Sequence, residues 1–328
     1  MSDRSPETQI QRRVRTDAVH STRVRSLSSC PVGLEHSLQD MMPREISRRE
    51  FMQFQQLIYQ ESGIWLSEAK TSLLTGRLSK RLRVLGLKRF YEYYERVTAD
   101  PEERWTMLDV ITTNETHFFR EPAHFQFLEE RVLPAWQAAA IAGQRSRTVR
   151  VWSAGCSTGQ EAYSLAMILL DHLPPSRNWS IEILATDLSR RALSIAQQGV
   201  WSAEKSREIP PRYLRAYMLR GVGANEGKIK AAPAIRVIRF MRLNLNDAGL
   251  SGPGQFDLVF CRNVLIYFDV ESRRRVMDRL ARHLTPDGFL FLGHAETLSS
   301  ACPSLQCIAP TIYAHAENWS GTHHGHRK

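Results

Sequence analysis

Four short apolar runs, at 149–153, 181–186, 256–261 and 289–293, recur through the second part of this 328-residue chain. Each is too short for a buried helix and reads as a strand covered on both faces. Residues 161–172, 190–198 and 270–283 carry apolar positions at helical spacing between them. Strands alternating with crossover helices specify a parallel sheet, so the fold class is α/β, a doubly wound domain. A different texture intrudes at 212–241, where a Gly-rich turn at 221–227 separates apolar stretches at 217–220 and 228–231, and 234–241 follows. This predicts a small antiparallel β insertion of three strands.

Ahead of this domain the pattern is helical from residue 46 to about 110. Ser47 and Glu50 make a capping box before Phe51, Phe54, Leu57 and Ile58, and Leu74, Leu78, Leu82 and Leu85 form the stripe of a later helix. Lys70, Arg77 and Arg81 fall beside that stripe, a basic edge expected to dock an acidic partner helix. Residues 1–45 combine arginines with serines and threonines without apolar period, so they are expected to form a mobile basic tail. Residues 316–328, which include His323, His324 and His326, read as a second tail. The 111–315 stretch is then the α/β domain.

Lys and Arg total 44 against 34 Asp and Glu, a formal charge of +10 that suits a polyanion or an acidic protein surface. The apolar runs never reach the length of a membrane span, and the N-terminus lacks a secretory signal core, so a cytoplasmic protein with no direct membrane insertion is expected. Five cysteines, Cys30, Cys156, Cys261, Cys302 and Cys307, contain no C-x-x-C pair and read as reduced thiols rather than a zinc site.

The chemistry concentrates after the first strand. Val151-Trp152-Ser153-Ala154-Gly155-Cys156-Ser157-Thr158-Gly159-Gln160-Glu161 runs strand, small-residue turn, helix start, an arrangement that lets backbone approach an adenosine-containing cofactor. It departs from G-x-G-x-x-G and lacks the Lys-Ser/Thr of a P-loop, leaving a compact nucleoside cofactor such as S-adenosylmethionine. Asp187 ends the next strand, where a carboxylate accepts both ribose hydroxyls, while Ser189 is the better helix cap.

Four motifs in register carry a resemblance. They are Thr112-Thr113-Asn114-Glu115-Thr116-His117-Phe118-Phe119-Arg120-Glu121; the glycine turn to Glu161; Phe260-Cys261-Arg262-Asn263-Val264-Leu265-Ile266-Tyr267-Phe268; and Gly293-His294-Ala295-Glu296-Thr297-Leu298. From about Arg44 to His315 the chain resembles the chemotaxis receptor methyltransferases, the CheR family. The resemblance implies transfer of methyl groups from S-adenosylmethionine to glutamates of chemoreceptor cytoplasmic helices, with S-adenosylhomocysteine as product and no metal. It further implies a monomer recruited to membrane receptor arrays. By motif position it implies cofactor contacts from Asn114, Thr116, Arg120, Glu161, Asp187, Asn244, Leu245, Arg262 and Asn263. One departure stands at Gln160-Glu161-Ala162-Tyr163, where the family's usual Glu-Glu-Pro-Tyr keeps only its second carboxylate.

A sulfonium methyl is already activated and a glutamate carboxylate is ionised at neutral pH, so transfer needs position rather than a strong base. Arg120 is expected to orient the incoming carboxylate and Tyr267 to assist by hydrogen bonding. Two rival readings are a catalytically idle S-adenosylmethionine-binding adaptor and a nucleic-acid methyltransferase. The latter lacks its Asp/Asn-Pro-Pro-aromatic stretch, because Arg262-Asn263-Val264-Leu265 occupies that place, so no nucleic-acid partner is expected. The glycine-containing turn also resembles that of family members whose β-subdomain tethers a receptor's C-terminal peptide.

Overall fold

The computed structural model describes residues 45–247, 254–296 and 303–316. All but the last residue of the predicted N-terminal tail and all but the first residue of the C-terminal one lie outside the described residues, as do Cys30 and Cys302.

Four helices come first: α1 (Arg48–Ser62), α2 (Thr71–Leu85), α3 (Phe90–Ala99) and α4 (Pro101–Ile111). The capping box forms, with Ser47 N–H donating to Glu50 Oε2 (2.9 Å) and Glu50 N–H to Ser47 Oγ (3.3 Å). Phe51, Phe54 and Ile58 of α1 and Leu74, Leu78 and Leu82 of α2 are buried in one core with Tyr93, Val97 and Met107. Each fully buried leucine stabilises such a bundle by roughly 1.5–3 kcal/mol.

The rest is built on a seven-stranded sheet ordered β6-β2-β1-β7-β8-β10-β9. Its members are β1 (Thr148–Ala154), β2 (Ser180–Asp187), β6 (Ile238–Arg242), β7 (Phe256–Cys261), β8 (Leu284–Leu292), β9 (Leu305–Ala309) and β10 (Ile312–His315). Strands β6, β2, β1, β7 and β8 run parallel, and β10 returns antiparallel to β8. Further helices are α5 (Pro122–Phe127), α6 (Leu133–Ile141), α7 (Gln160–His172), α8 (Arg190–Gln198), α9 (Pro211–Tyr217) and α10 (Val270–Arg282). Two apolar cores cover the faces, one centred on α7 and the other on α10. The chain moves outward from β1 through β2 to β6, then returns to β7 on the other side. The ends of β1 and β7 therefore meet at a topological switch point, where α/β sheets bind ligands.

The insertion is not arranged as its sequence suggested. Its small antiparallel sheet is ordered β3-β5-β4, from β3 (Val200–Ser202), β4 (Met218–Arg220) and β5 (Lys228–Ala231). The expected third strand, inside 234–241, belongs to the main sheet: β6 pairs in parallel with β2, Ala185 opposite Phe240. Its place is taken by β3, which lies before the predicted insertion, so the 212–241 boundary fails at both ends.

The helical bundle and the main sheet are stitched together by backbone. Trp65 N–H donates to the Tyr267 carbonyl (2.8 Å), Ile64 bridges Phe268, and Asn244 Nδ2 donates to the Glu61 carbonyl at the end of α1 (2.9 Å). Tyr59 adds a hydroxyl bond to Asp269 (2.8 Å). No helix among the described residues is long and apolar enough to cross a membrane.

Candidate active site

A cavity of about 420 Å³ opens at the switch point, beneath the bundle. That is within the range of cofactor sites, ~300–1,000 Å³. Every residue predicted to touch the cofactor lines it: Asn114, Thr116, Arg120, Glu161, Asp187, Asn244, Leu245, Arg262 and Asn263. Tyr267, Lys70 and Arg77 line it too, and Arg81 does not.

The glycine turn is shaped by contact. Gly155 has φ +85°, and a Cβ there would lie 2.3 Å from Val264 Cγ2, so the turn after β1 and the loop after β7 touch without room for a side chain. Ser157 and Asn263, which line this cavity, also hold positive φ, as do Phe119 and Glu121 on either side of Arg120. Non-glycine residues keep that conformation only where neighbours over-determine it.

Asp187 is one such neighbour. Its Oδ2 accepts Ser157 N–H and its Oδ1 accepts Ser189 N–H, both 2.8 Å. Ser189 caps α8 through its own hydroxyl, which receives Ala192 N–H (3.0 Å), as the sequence indicated. Burial raises the Asp187 pKa above the ordinary carboxylate value, against the lowering effect of those backbone N–H groups.

A buried charge relay lies across the floor. The Arg262 side chain, 2% exposed, stands with Nε 3.3 Å from Glu121 Oε2 and Nη1 3.6 Å from Glu161 Oε2, and gives Nη2 to the Arg120 carbonyl. Glu161 Oε1 accepts from Ser153 Oγ (2.7 Å). Burial raises the Glu161 pKa, while Arg262 and Ser153 hold it down. Ser157 Oγ, Asn263 Oδ1 and Arg262 Nη1 are buried at the cavity wall with no hydrogen-bond partner. Buried polar atoms of this kind call for a polar ligand, and a nucleoside bearing an amino acid supplies one.

Glu296 was missed as a functional residue, although its motif was noticed. It is 4% exposed, and its carboxylate accepts N–H groups from Asn263 and Gly293 on Oε2 (2.7 Å each) and from Leu265 (2.7 Å) and Ile266 (3.3 Å) on Oε1. It thereby fixes the loop that carries Arg262, Asn263 and Tyr267. Glu121, the second carboxylate on Arg262, was missed as well. Both stood inside motifs already quoted from the sequence, but nothing in the local pattern set either acid apart from its polar neighbours.

The basic row predicted along α2 is not presented as such. Arg81 is committed to Glu103 of α4, Nε to Oε1 (2.8 Å) and Nη2 to Oε2 (2.5 Å), and Glu103 is only 5% exposed. Burial would raise the Glu103 pKa, but hydrogen bonds from Arg81 and Tyr93 outweigh it and leave the pKa lowered. Arg77 donates to the Ile111 carbonyl and to Thr113 Oγ1 (2.8 Å), which ties α2 to the first motif. Lys70 lies before α2, with Nζ 5.7 Å from the Tyr267 ring centre at the cavity. Asn244 is likewise occupied by structure: its amide holds Glu61 and Asp247, and its oxygen accepts Asn246 N–H.

A switch-point cavity with a glycine turn, an acid ending β2 and no phosphate-binding loop defines the S-adenosylmethionine-dependent methyltransferase class. The chain belongs to the CheR methyltransferase family: residues 114–314 match its SAM-binding domain and residues 49–112 its all-alpha domain. It is 36% identical over 275 residues to chemotaxis protein methyltransferase 2 of Pseudomonas aeruginosa, covering 82% of this chain and 94% of that one. The Escherichia coli chemotaxis protein methyltransferase is 36% identical over 293 residues, covering 88% and 98%. A probable chemotaxis protein methyltransferase of Rhizobium etli is 39% identical over 246 residues, covering 74% and 90%.

Proposed function

We propose that this protein is a protein-glutamate O-methyltransferase that esterifies glutamate side chains on chemoreceptor cytoplasmic helices during chemotactic adaptation, working in the cytoplasm at receptor arrays. The observation that carries the reading is the company of Arg120. It lines the cavity with Lys70 and Tyr267, donates one bond to the Glu115 carbonyl (3.2 Å), and has no carboxylate partner among the described residues. Two cations and a phenol at the mouth of a cofactor cavity suit an incoming carboxylate.

Bound S-adenosylmethionine supplies a sulfonium methyl that needs no further activation. Glu161, held by Arg262 and Ser153, meets the ammonium of its methionine part, and Asp187 accepts the ribose hydroxyls. Leu245 gives adenine an apolar surface, and Asn114, Thr116 and Asn263 offer polar atoms along the same wall. Arg120 orients the substrate carboxylate and Tyr267 donates a hydrogen bond to its spectator oxygen. Neither removes a proton, because the nucleophile is already ionised. The helical bundle, residues 46–110, excludes water above residues 111–315, where the transfer takes place.

The small sheet offers two edges, β3 and β4, either of which can receive an extended receptor C-terminal peptide as a further strand. Such a tether raises the local enzyme concentration near the methylation sites.

Arg120→Ala is the direct test of the carboxylate role. The expected result is a turnover loss of at least tenfold, well beyond any accompanying loss of S-adenosylhomocysteine affinity. Unchanged turnover and unchanged affinity together would remove Arg120 from the mechanism.

A further inference from the structure

We propose that Glu121, His124 and His294 form a binding site for a divalent first-row transition ion, Zn²⁺ being the natural probe, on the far side of Arg262 from the cofactor cavity. The three side chains place one ligand atom each within 4.8 Å of one another. Glu121 Oε2 lies 3.5 Å from His124 Nδ1 and 4.0 Å from His294 Nε2. Ligand atoms at ~2.0–2.1 Å from a tetrahedral Zn²⁺ are separated by about 3.3–3.4 Å, so His294 alone needs an appreciable shift. His294 is free to make it, with a side chain 61% exposed against 1% for His124 and 10% for Glu121.

The orientation of the buried imidazole is the stronger argument. His124 Nε2 is 2.8 Å from Thr311 Oγ1, and that hydroxyl gives its single hydrogen to the Pro310 carbonyl (2.8 Å). In the tautomer in which Thr311 accepts from Nε2–H, Nδ1 presents a lone pair. That lone pair faces Glu121 Oε2, itself an acceptor. Both atoms are buried without a hydrogen-bond partner. Two acceptors aimed at each other across 3.5 Å repel, and a cation between them turns the repulsion into ligation. Thr311 then serves as the outer partner that orients a ligating histidine.

Two imidazole nitrogens and one carboxylate oxygen suit Zn²⁺, Cu²⁺ or Ni²⁺ rather than Mg²⁺ or Ca²⁺, and a fourth position stays open to water. Arg262 Nε, 3.3 Å from the same Glu121 oxygen, sets a limit on affinity, because an ion must share that carboxylate with a guanidinium.

Calorimetric titration of the full chain with Zn²⁺ tests the site, in a background where His323, His324 and His326 are replaced by Ala so that tail histidines contribute nothing. One equivalent is expected to bind, with affinity at least about tenfold weaker in His294→Ala, whose exposed side chain can be removed without disturbing the core. Co²⁺ should give the strong visible absorption of a four-coordinate nitrogen and oxygen site, lost in the same variant. His124→Asn, checked for folding by circular dichroism, should lose both signals too. Absence of stoichiometric binding in the parent, or equal affinity in His294→Ala, overturns the proposal.

Discussion

Replacing Glu296 by Gln should loosen the wall of the active site from a position that lies outside the cavity lining. The carboxylate now receives two pairs of backbone N–H groups: Asn263 with Gly293, and Leu265 with Ile266. An amide retains one oxygen. It will keep the tighter pair, both 2.7 Å, and turn its NH₂ toward Leu265 and Ile266, whose distances are 2.7 and 3.3 Å. One strong and one weak charge-assisted bond are lost, and two buried donors face a third. At about 1.5–3 kcal/mol for a bond to a charged group, the loss comes to about 3 kcal/mol. For a chain of this size that lowers the melting temperature by roughly 4–6 °C. Because the released segment carries Asn263 and Tyr267, S-adenosylhomocysteine affinity should fall alongside stability, by at least about tenfold. Differential scanning calorimetry and isothermal titration on the purified variant read the two effects. A melting temperature within about 2 °C of the parent, with unaltered affinity, would refute the clamp.

Arg81→Ala should reduce stability by about 2 kcal/mol, because it strands the buried Glu103 carboxylate, and leave methylation per folded molecule unchanged; a specific loss of receptor methylation in a fully folded variant would return Arg81 to the docking surface. Titration with C-terminal receptor pentapeptides from the same cell should show binding that is abolished by a proline at an outward-facing edge position, Arg220 of β4 or Ser202 of β3, and absence of binding to every peptide would leave the small sheet as structure alone.

The parts of the fold legible in the sequence were those settled locally. Strands β1, β2 and β7 are largely apolar, broken near their starts by Arg150, Glu182 and Asp257, because helices cover both faces of the sheet, and α1 begins where Ser47 and Glu50 reciprocate their bonds. Strand β6 was assigned to the wrong sheet because Ile238–Arg242 alternates and is only half-buried, as an edge strand of either sheet would be. Its partner β2 lies some fifty residues earlier, and the three residues of β3 are too few for any period to show. The candidate site was legible as a set of motifs but not as a circuit. Nothing within the Arg81 helix reveals that Glu103 will face it from α4, and no spacing rule brings Glu296 beneath Asn263. Pairings between loops on different strands emerge only when the sheet order is known, which is why Arg262 could be named while its second carboxylate, Glu121, could not.

The central claim, that this cleft esterifies receptor glutamates, is tested most directly by incubating the purified protein with methyl-labelled S-adenosylmethionine and a purified receptor cytoplasmic fragment, then treating the product with alkali. Glutamyl esters hydrolyse and release volatile label, whereas N-methyl groups stay on the chain. The account predicts label on the fragment, released by base and absent when the receptor's methylation-site glutamates are changed to alanine. No incorporation, base-stable label, or label appearing instead on DNA or RNA would contradict it.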